Sequence, residues 1–464
     1  MRLFSSHLFY NNYKNVRLKL NRLKKLHPVQ ILALFFIVVI LLGTILLTFP
    51  ISSSSGETTN YLDALFTATS AASVTGLVVY DTGTYWSSFG KTVILILIQI
   101  GGLGIMSFAT FGALKFGKKI SLSTSLLLKE ALNFEGFQGL SLIMKYVVSF
   151  TVIVEALGAF FLCFVFIPEF GFSQGLYVSL FTSISAFCNA GFDIFGNFAS
   201  LTGYFDNSYV LIICMILIII GGLGFGVITE FITYHHTKRI SLTTKIVLIV
   251  TSILIVLGAV LYFILESNNP LTLEGMSLYD KIINSFFASV SPRTAGFNSI
   301  NLSDMRAGSI FLTCLLMLVG GSPGSTAGGI KTTTLGVILL SIYSYIKNKK
   351  VIVMNKKVPT RTINKAFIVT FVSLFFISTF IILISITHQD LQFKSIIFEV
   401  FSAFNTVGLS IGLTPDLTDI GKFIIIFAMY FGRVGTLTLL FAFTNKIDNN
   451  KKSIKYPEAR ITVG

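Results

Sequence analysis

The chain has 464 residues, of which 53% are hydrophobic and only 12% charged, with a mean hydropathy of +0.81 and a formal net charge of +15. A soluble domain carries about twice that charged fraction, so the composition excludes a water-soluble globular protein and implies an integral membrane protein. The basic excess reads as a topology signal, with some attraction to anionic membrane lipid, and no nucleic-acid partner is expected.

A basic arm, residues 1–28, comes first. The apolar run at 29–49 is expected to be retained as a span, because it is too long for a signal peptide and its basic leader has no small-residue cleavage site. Further runs of spanning length follow at 93–114, 143–167, 209–234, 246–265, 310–346, 366–387 and 423–443, each reaching the ~20 residues that cross a bilayer. Between the members of each successive pair lies a short helix-like segment ending at a glycine. The expected unit is span, re-entrant half-helix, glycine loop, span. The fold class is therefore an all-α membrane protein of four span–pore-helix–span repeats, eight transmembrane helices around a pseudo-fourfold pore. The expected segments are 29–142, 143–245, 246–365 and 366–446 for the four repeats, with a tail at 447–464.

The four loops share a spacing. Phe66, Phe181, Phe286 and Phe398 are each followed ten residues later by Gly76, Gly191, Gly296 and Gly408. A cation leaving water must have its hydration shell replaced, and backbone carbonyls can do so if side chains stay clear. The tripeptides Val74-Thr75-Gly76, Asn189-Ala190-Gly191, Thr294-Ala295-Gly296 and Thr406-Val407-Gly408 meet that requirement and carry no carboxylate. They are the expected ion-binding selectivity filter. Carbonyl-only coordination suits a large, weakly hydrated ion, K⁺ before Na⁺. The transported ion at this filter is the only metal expected. The four cysteines and five histidines show no ligand spacing, so no cofactor and no catalytic residues are assigned and the chain is not expected to be an enzyme.

Charge orients the chain. Of the 35 Lys and Arg residues, 27 fall in the N-terminal arm, the loops after second spans and the tail, whereas 14 of the 20 acidic residues fall in the re-entrant segments and their flanks. Both termini are then cytoplasmic in the cell membrane, and the filter faces outward behind an acidic mouth.

A second repeat lies in the second spans: Gly101-Gly-Leu-Gly104, Gly221-Gly-Leu-Gly224 and Gly432-Arg-Val-Gly435, with Gly320–Gly324 in the third unit. For the two GGLG motifs, close helix packing is the expected reason. In unit three the run Gly320-Gly321-Ser322-Pro323-Gly324-Ser325-Thr326-Ala327-Gly328-Gly329 interrupts the span, since Pro323 removes a donor and clashes with the preceding turn. Irregular backbone at that depth is tolerated where it is buried in protein or faces a water-filled path.

The segments SAASVTGLVVYDT, SAFCNAGFDIFGNF, SPRTAGFN and SAFNTVGLS, with GGSPGSTAGGIK and GRVG, resemble the filter regions of the Trk/Ktr/HKT superfamily of K⁺ transporters. Eight spans without an extra N-terminal pair make the chain most similar to the bacterial KtrB-type membrane subunits. The resemblance implies K⁺ uptake, with Gly76 retained where Na⁺-selective members carry Ser. It also implies an intramembrane gating loop at residues 320–329, a homodimer and a cytosolic nucleotide-binding regulatory ring (KtrA-like). Lys331 and Arg433, basic at membrane depth, are expected to tune the gate, Arg433 by donating to free carbonyls of the loop. Glu155, mid-span, is expected to bond between helices. The alternative reading is a Na⁺- or H⁺-coupled secondary cation symporter with alternating access, for which inverted pairs rather than four same-sense units would be expected.

Overall fold

The computed structural model describes residues 28–104, 140–238 and 240–435. The N-terminal arm, the ends of the runs at 93–114 and 423–443, and the C-terminal tail lie outside the described residues. The described residues are mostly helical, with one two-stranded hairpin of β1 (Ile352–Val353) and β2 (Lys356–Lys357).

Fourteen helices longer than one turn carry the architecture among the described residues. In the first quarter α1 (Pro28–Thr48) is followed by α2 (Tyr61–Ser73) and α3 (Ser88–Leu103). The second holds α4 (Leu140–Phe170), α5 (Phe172–Cys188), α6 (Ser208–Leu223) and α7 (Phe225–Thr237). The third holds α8 (Leu242–Glu266), α9 (Leu278–Val290), α10 (Ala307–Leu318) and α11 (Thr332–Ile346). The fourth holds α12 (Thr360–Thr387), α13 (Phe393–Phe404) and α14 (Asp419–Val434).

Length and apolarity suffice for a bilayer crossing in α4, α8 and α12, and in a fourth span if α6 and α7 are counted together. Only 39%, 28% and 22% of the apolar windows of α4, α8 and α12 are buried inside the protein. Side chains such as Phe164, Ile253 and Phe371 stand exposed on them. Apolar faces of this extent need a nonaqueous surround.

The run at 209–234 differs from its expected form. It bends by 94° between α6 and α7. The hinge is Gly224, at φ +92°, where a Cβ would fall on the Pro323 carbonyl. The Phe225 N–H leaves the helix and donates to Gly324 O at 2.8 Å. Gly104 and Gly435 end α3 and α14 with φ of +78° and +89°. The last glycine of each motif thus serves as a helix terminator at positive φ, a region open to glycine at little cost.

The short helices α2, α5, α9 and α13 sit inside, and the packing runs in a circle. Each of α3, α6, α10 and α14 packs on the short helix of the next quarter: α3 on α5, α6 on α9, α10 on α13, and α14 back on α2. The last of these seams carries the single ion pair among the described residues, Lys422 to Asp63 at 2.6 Å, both nearly buried. Tyr80 donates to the other Asp63 oxygen at 2.8 Å.

Candidate functional site

The inner helices end where their sequences stop favouring helix. Three of them close with paired bonds of the Schellman type, in which the two N–H groups past the helix reach back five and three residues. Thr75 N–H donates to Ser70 O and Val74 N–H to Ala71 O; Ala190 to Ser185 and Asn189 to Ala186; Val407 to Ser402 and Thr406 to Ala403. The residue in the left-handed position is Val74, Asn189 or Thr406 rather than glycine. A branched residue there is strained and persists because the surroundings dictate it. The third quarter, with Pro292 in the turn, departs: Ala295 N–H bonds Ser291 O at 2.9 Å.

All four loops then alternate. Val74, Asn189, Thr294 and Thr406 have positive φ, the next residue does not, and Gly76, Gly191, Gly296 and Gly408 have it again. The four glycines form a closed ring. A Cβ on Gly76 would fall on Ala190 O, one on Gly191 2.9 Å from Ala295 O, one on Gly296 on Val407 O, and one on Gly408 on Thr75 O. No side chain larger than hydrogen fits at any of the four. Serine hydroxyls brace the ring: Ser70 and Ser402 accept from the N–H of Gly76 and Gly408 at 3.1 and 3.0 Å, and Ser185 donates to Phe192 O at 2.6 Å. The hydroxyls of Thr294 and Thr406 are buried with no hydrogen-bond partner among the described residues.

Four helix C-termini converge on this ring, each bringing partial negative charge. The arrangement favours a cation without a carboxylate. All twelve residues of the expected tripeptides are brought together here.

Close packing on the inner side is register-matched. A Cβ on Gly101, Gly221 or Gly432 would fall on the carbonyl of Ala72, Phe187 or Phe404, each four residues before a ring glycine. This matches the packing expected for the GGLG motifs.

The interruption between α10 and α11 packs against these loops. Ser322 N–H donates to Gly222 O at 2.9 Å, and the Thr326 hydroxyl bonds Phe187 O and Gly221 O at 3.3 and 3.1 Å. A Cβ on Gly320 would lie 3.0 Å from Thr294 Cγ2, and one on Gly328 3.0 Å from Asn405 O. Residues 320–329 therefore touch the feet of the second, third and fourth loops. Arg433 links this stretch to the first quarter, with one guanidinium nitrogen donating to Thr326 O and another to Gly101 O. Lys331 folds back, its Nζ donating to Ala327 O at 2.8 Å and lying 3.4 Å from Gly328 O.

Of the other polar groups, Glu155 makes the inter-helix bonds expected of it, whereas the contacts of Arg293 and Asp81 carry no signal in the sequence. Glu155 accepts from Gln99 Nε2 at 3.1 Å and lies 3.7 Å from Cys188 Sγ, tying α4 to α3 and to the end of α5. Arg293, in the third loop, is buried with a single long contact, 3.5 Å to Thr251 Oγ1. Asp81 accepts from Thr84 in its own loop and from Phe198 N–H across the seam. Nearby Asp193 is pushed up to about 7, mainly by burial, against the hydrogen bond from Phe195 N–H and with a smaller push from Asp81. The residue as a whole is half-buried.

A family model described as TrkH, cation transport protein, matches residues 11–454. The chain is 44% identical over 449 residues to the potassium/sodium uptake protein NtpJ of Enterococcus hirae, covering 95% of this chain and 98% of that protein. It is 43% identical over 438 residues to the Ktr system potassium uptake protein B of Bacillus subtilis, covering 94% and 97%. Among solved structures, the potassium transporter TrkH from Vibrio parahaemolyticus superposes with a TM-score of 0.72 at 19% identity, covering 90% of this chain and 84% of that one.

Proposed function

The chain belongs to the TrkH family of cation transport proteins, and on that premise we propose that it takes up K⁺ across the cell membrane through the ring of four glycine loops. The observation that carries the reading is the closed contact of Gly76, Gly191, Gly296 and Gly408 with the carbonyls of the neighbouring loops. A K⁺ ion entering such a ring exchanges water for fixed carbonyl oxygens, with the helix C-termini adding favourable potential. Fixed carbonyl ligands need no reorganisation, which favours the ion whose size the ring already matches. Residues 74–76, 189–191, 294–296 and 406–408 form the filter in this reading. The four repeats and eight spans supply the frame, with both termini in the cytoplasm.

Below the filter, residues 320–329 act as the gate. Their bonds to Phe187, Gly221 and Gly222 hold the chain across the path. Arg433 is the latch, because its planar fork satisfies two carbonyls at once, one on the loop and one on α3. Lys331 places a second positive charge under the filter and raises the barrier when the loop is closed. A homodimer on a cytosolic regulatory ring fits the Ktr-system relatives, and such a ring would act by displacing this loop.

The test is K⁺ against Na⁺ flux in liposomes containing the purified chain. Flux driven by a K⁺ gradient alone supports the reading. A strict need for a Na⁺ or H⁺ gradient would favour the symporter alternative, which the potassium/sodium name of the Enterococcus relative keeps in view.

A further inference from the structure

Away from the ring, a cavity of about 380 Å³ opens between the end of α11 and the start of α12. It is lined by Ser341, Ile342, Tyr345, Lys349, Ile363 and Phe367. Its size falls within the roughly 300–1,000 Å³ of small-molecule sites. The walls are mostly apolar, and Tyr343 and Tyr345 near the end of α11 are exposed, the residue type that marks the headgroup level of a bilayer.

The segment that frames the mouth is strongly one-sided in charge. Residues 347–365 contain seven basic residues and no acidic one. All seven are exposed, and none forms an ion pair with a described residue. The backbone of the segment is tied down at two points. Lys349 N–H caps α11 on Ser344 O at 2.9 Å, and the β1–β2 hairpin closes with Val358 N–H on Val351 O at 2.9 Å. Val358 packs with Val337 and Ala366 between the two helices.

We propose that this cavity binds an anionic phospholipid of the inner leaflet, with an acyl chain between α11 and α12 and the phosphate at Lys349 and its basic neighbours. An apolar slot at the membrane edge takes a chain, and a cluster of Lys and Arg just outside the hydrocarbon takes an anionic headgroup. Neither feature alone selects such a ligand; together they match both ends of one molecule. The occupied site would brace α11, which runs directly out of residues 320–331, so lipid could bear on that stretch. The inference uses the cytoplasmic placement of 347–365 from the proposed topology, but its test reads lipid retention and not ion flux, so the two fail separately.

The purified full chain in detergent is titrated with phosphatidylglycerol or phosphatidylcholine, and bound lipid is counted by native mass spectrometry. Phosphatidylglycerol is expected to be retained at least about tenfold better. Replacing Lys347, Lys349 and Lys350 together by Gln should weaken it by at least about tenfold. Filling the slot with Ser341→Leu, or from its outer wall with Ile342→Trp, should weaken it with the charges intact, and glycerol phosphate should not compete. Equal retention of the two lipids overturns the proposal. So does full retention in the slot-filled variants, which would mean diffuse surface attraction. Displacement by glycerol phosphate would show a headgroup-only site, and a shift from dimer to monomer on filling the slot would show a second copy as occupant; either result overturns it.

Discussion

Replacing Gly76 by Ser tests the ring at its most constrained contact. Gly76 has φ +97°, and a Cβ there would fall on Ala190 O with the Gly191 Cα and C at 3.1 and 3.2 Å. The backbone conformation alone costs a non-glycine residue about 1–3 kcal/mol, and forcing atoms into a packed site adds about 1–3 kcal/mol. The obstructing atoms are all backbone, so no flexible side chain can swing aside. Relief has to come from moving the Ala190 carbonyl, the group proposed to face the ion. Only about 1.4 kcal/mol of the total need appear as a weaker K⁺ site for a tenfold fall in K⁺ over Na⁺ selection. Gly56 is the control, with φ +74° but nothing within 4 Å of a Cβ. Gly56→Ser carries the backbone cost without the clash and should leave selection intact. The assay is K⁺ and Na⁺ flux in liposomes at matched protein density. A Gly76→Ser protein that discriminates as the parent does, or a Gly56→Ser protein that loses discrimination equally, would refute the reasoning.

Arg433→Ala should raise K⁺ flux several-fold with unchanged ion preference, and Arg433→Lys should restore restraint only in part, because a point charge cannot bond Thr326 O and Gly101 O as the fork does; a changed preference at constant rate would contradict this. Deleting residues 324–328 should raise flux and weaken dependence on any regulator, measured in the same liposomes against a folded, monodisperse sample. Asp63→Asn leaves the nearly buried Lys422 ammonium without its anion; breaking such a pair costs about 3–5 kcal/mol in a dry interior and less here because both groups keep some solvent contact. Its thermal midpoint in detergent should fall by several degrees, and the double variant Asp63→Asn with Lys422→Met should recover part of the loss. Asp193, held near 7, becomes neutral as external pH drops below that value, so uptake at low K⁺ should decline there, and Asp193→Asn should flatten the profile.

The loops were legible because the constraint on them is local. A left-handed φ with a carbonyl in the Cβ position admits only glycine, so Gly76, Gly191, Gly296 and Gly408 stand out at a fixed distance from a Phe on the helix before them. The serines six residues earlier, Ser70, Ser185 and Ser402, were present in the same segments, but their bonds depend on the turn that follows and are not visible in composition. The break at Gly224 was missed for a different reason. Hydropathy runs unbroken across it, and the cause is a contact with Pro323 and Gly324 from another quarter of the chain. Asp63 and Lys422 meet across 359 residues, and no spacing argument joins them. Arg433 was legible as a cation at membrane depth in need of carbonyls, while its second acceptor, Gly101 O, was not, because that depends on the circular order of packing.

The central claim is that the four carbonyl-lined loops hold a dehydrated K⁺. Its most direct test is the anomalous diffraction of Tl⁺, a K⁺ mimic, in crystals of the full chain. The account predicts a peak on the axis of the ring, bounded by the loops at 74–76, 189–191, 294–296 and 406–408, that K⁺ displaces and equimolar Na⁺ does not. Peaks only at carboxylates such as Asp81 or Glu155, with none inside the ring, would contradict it.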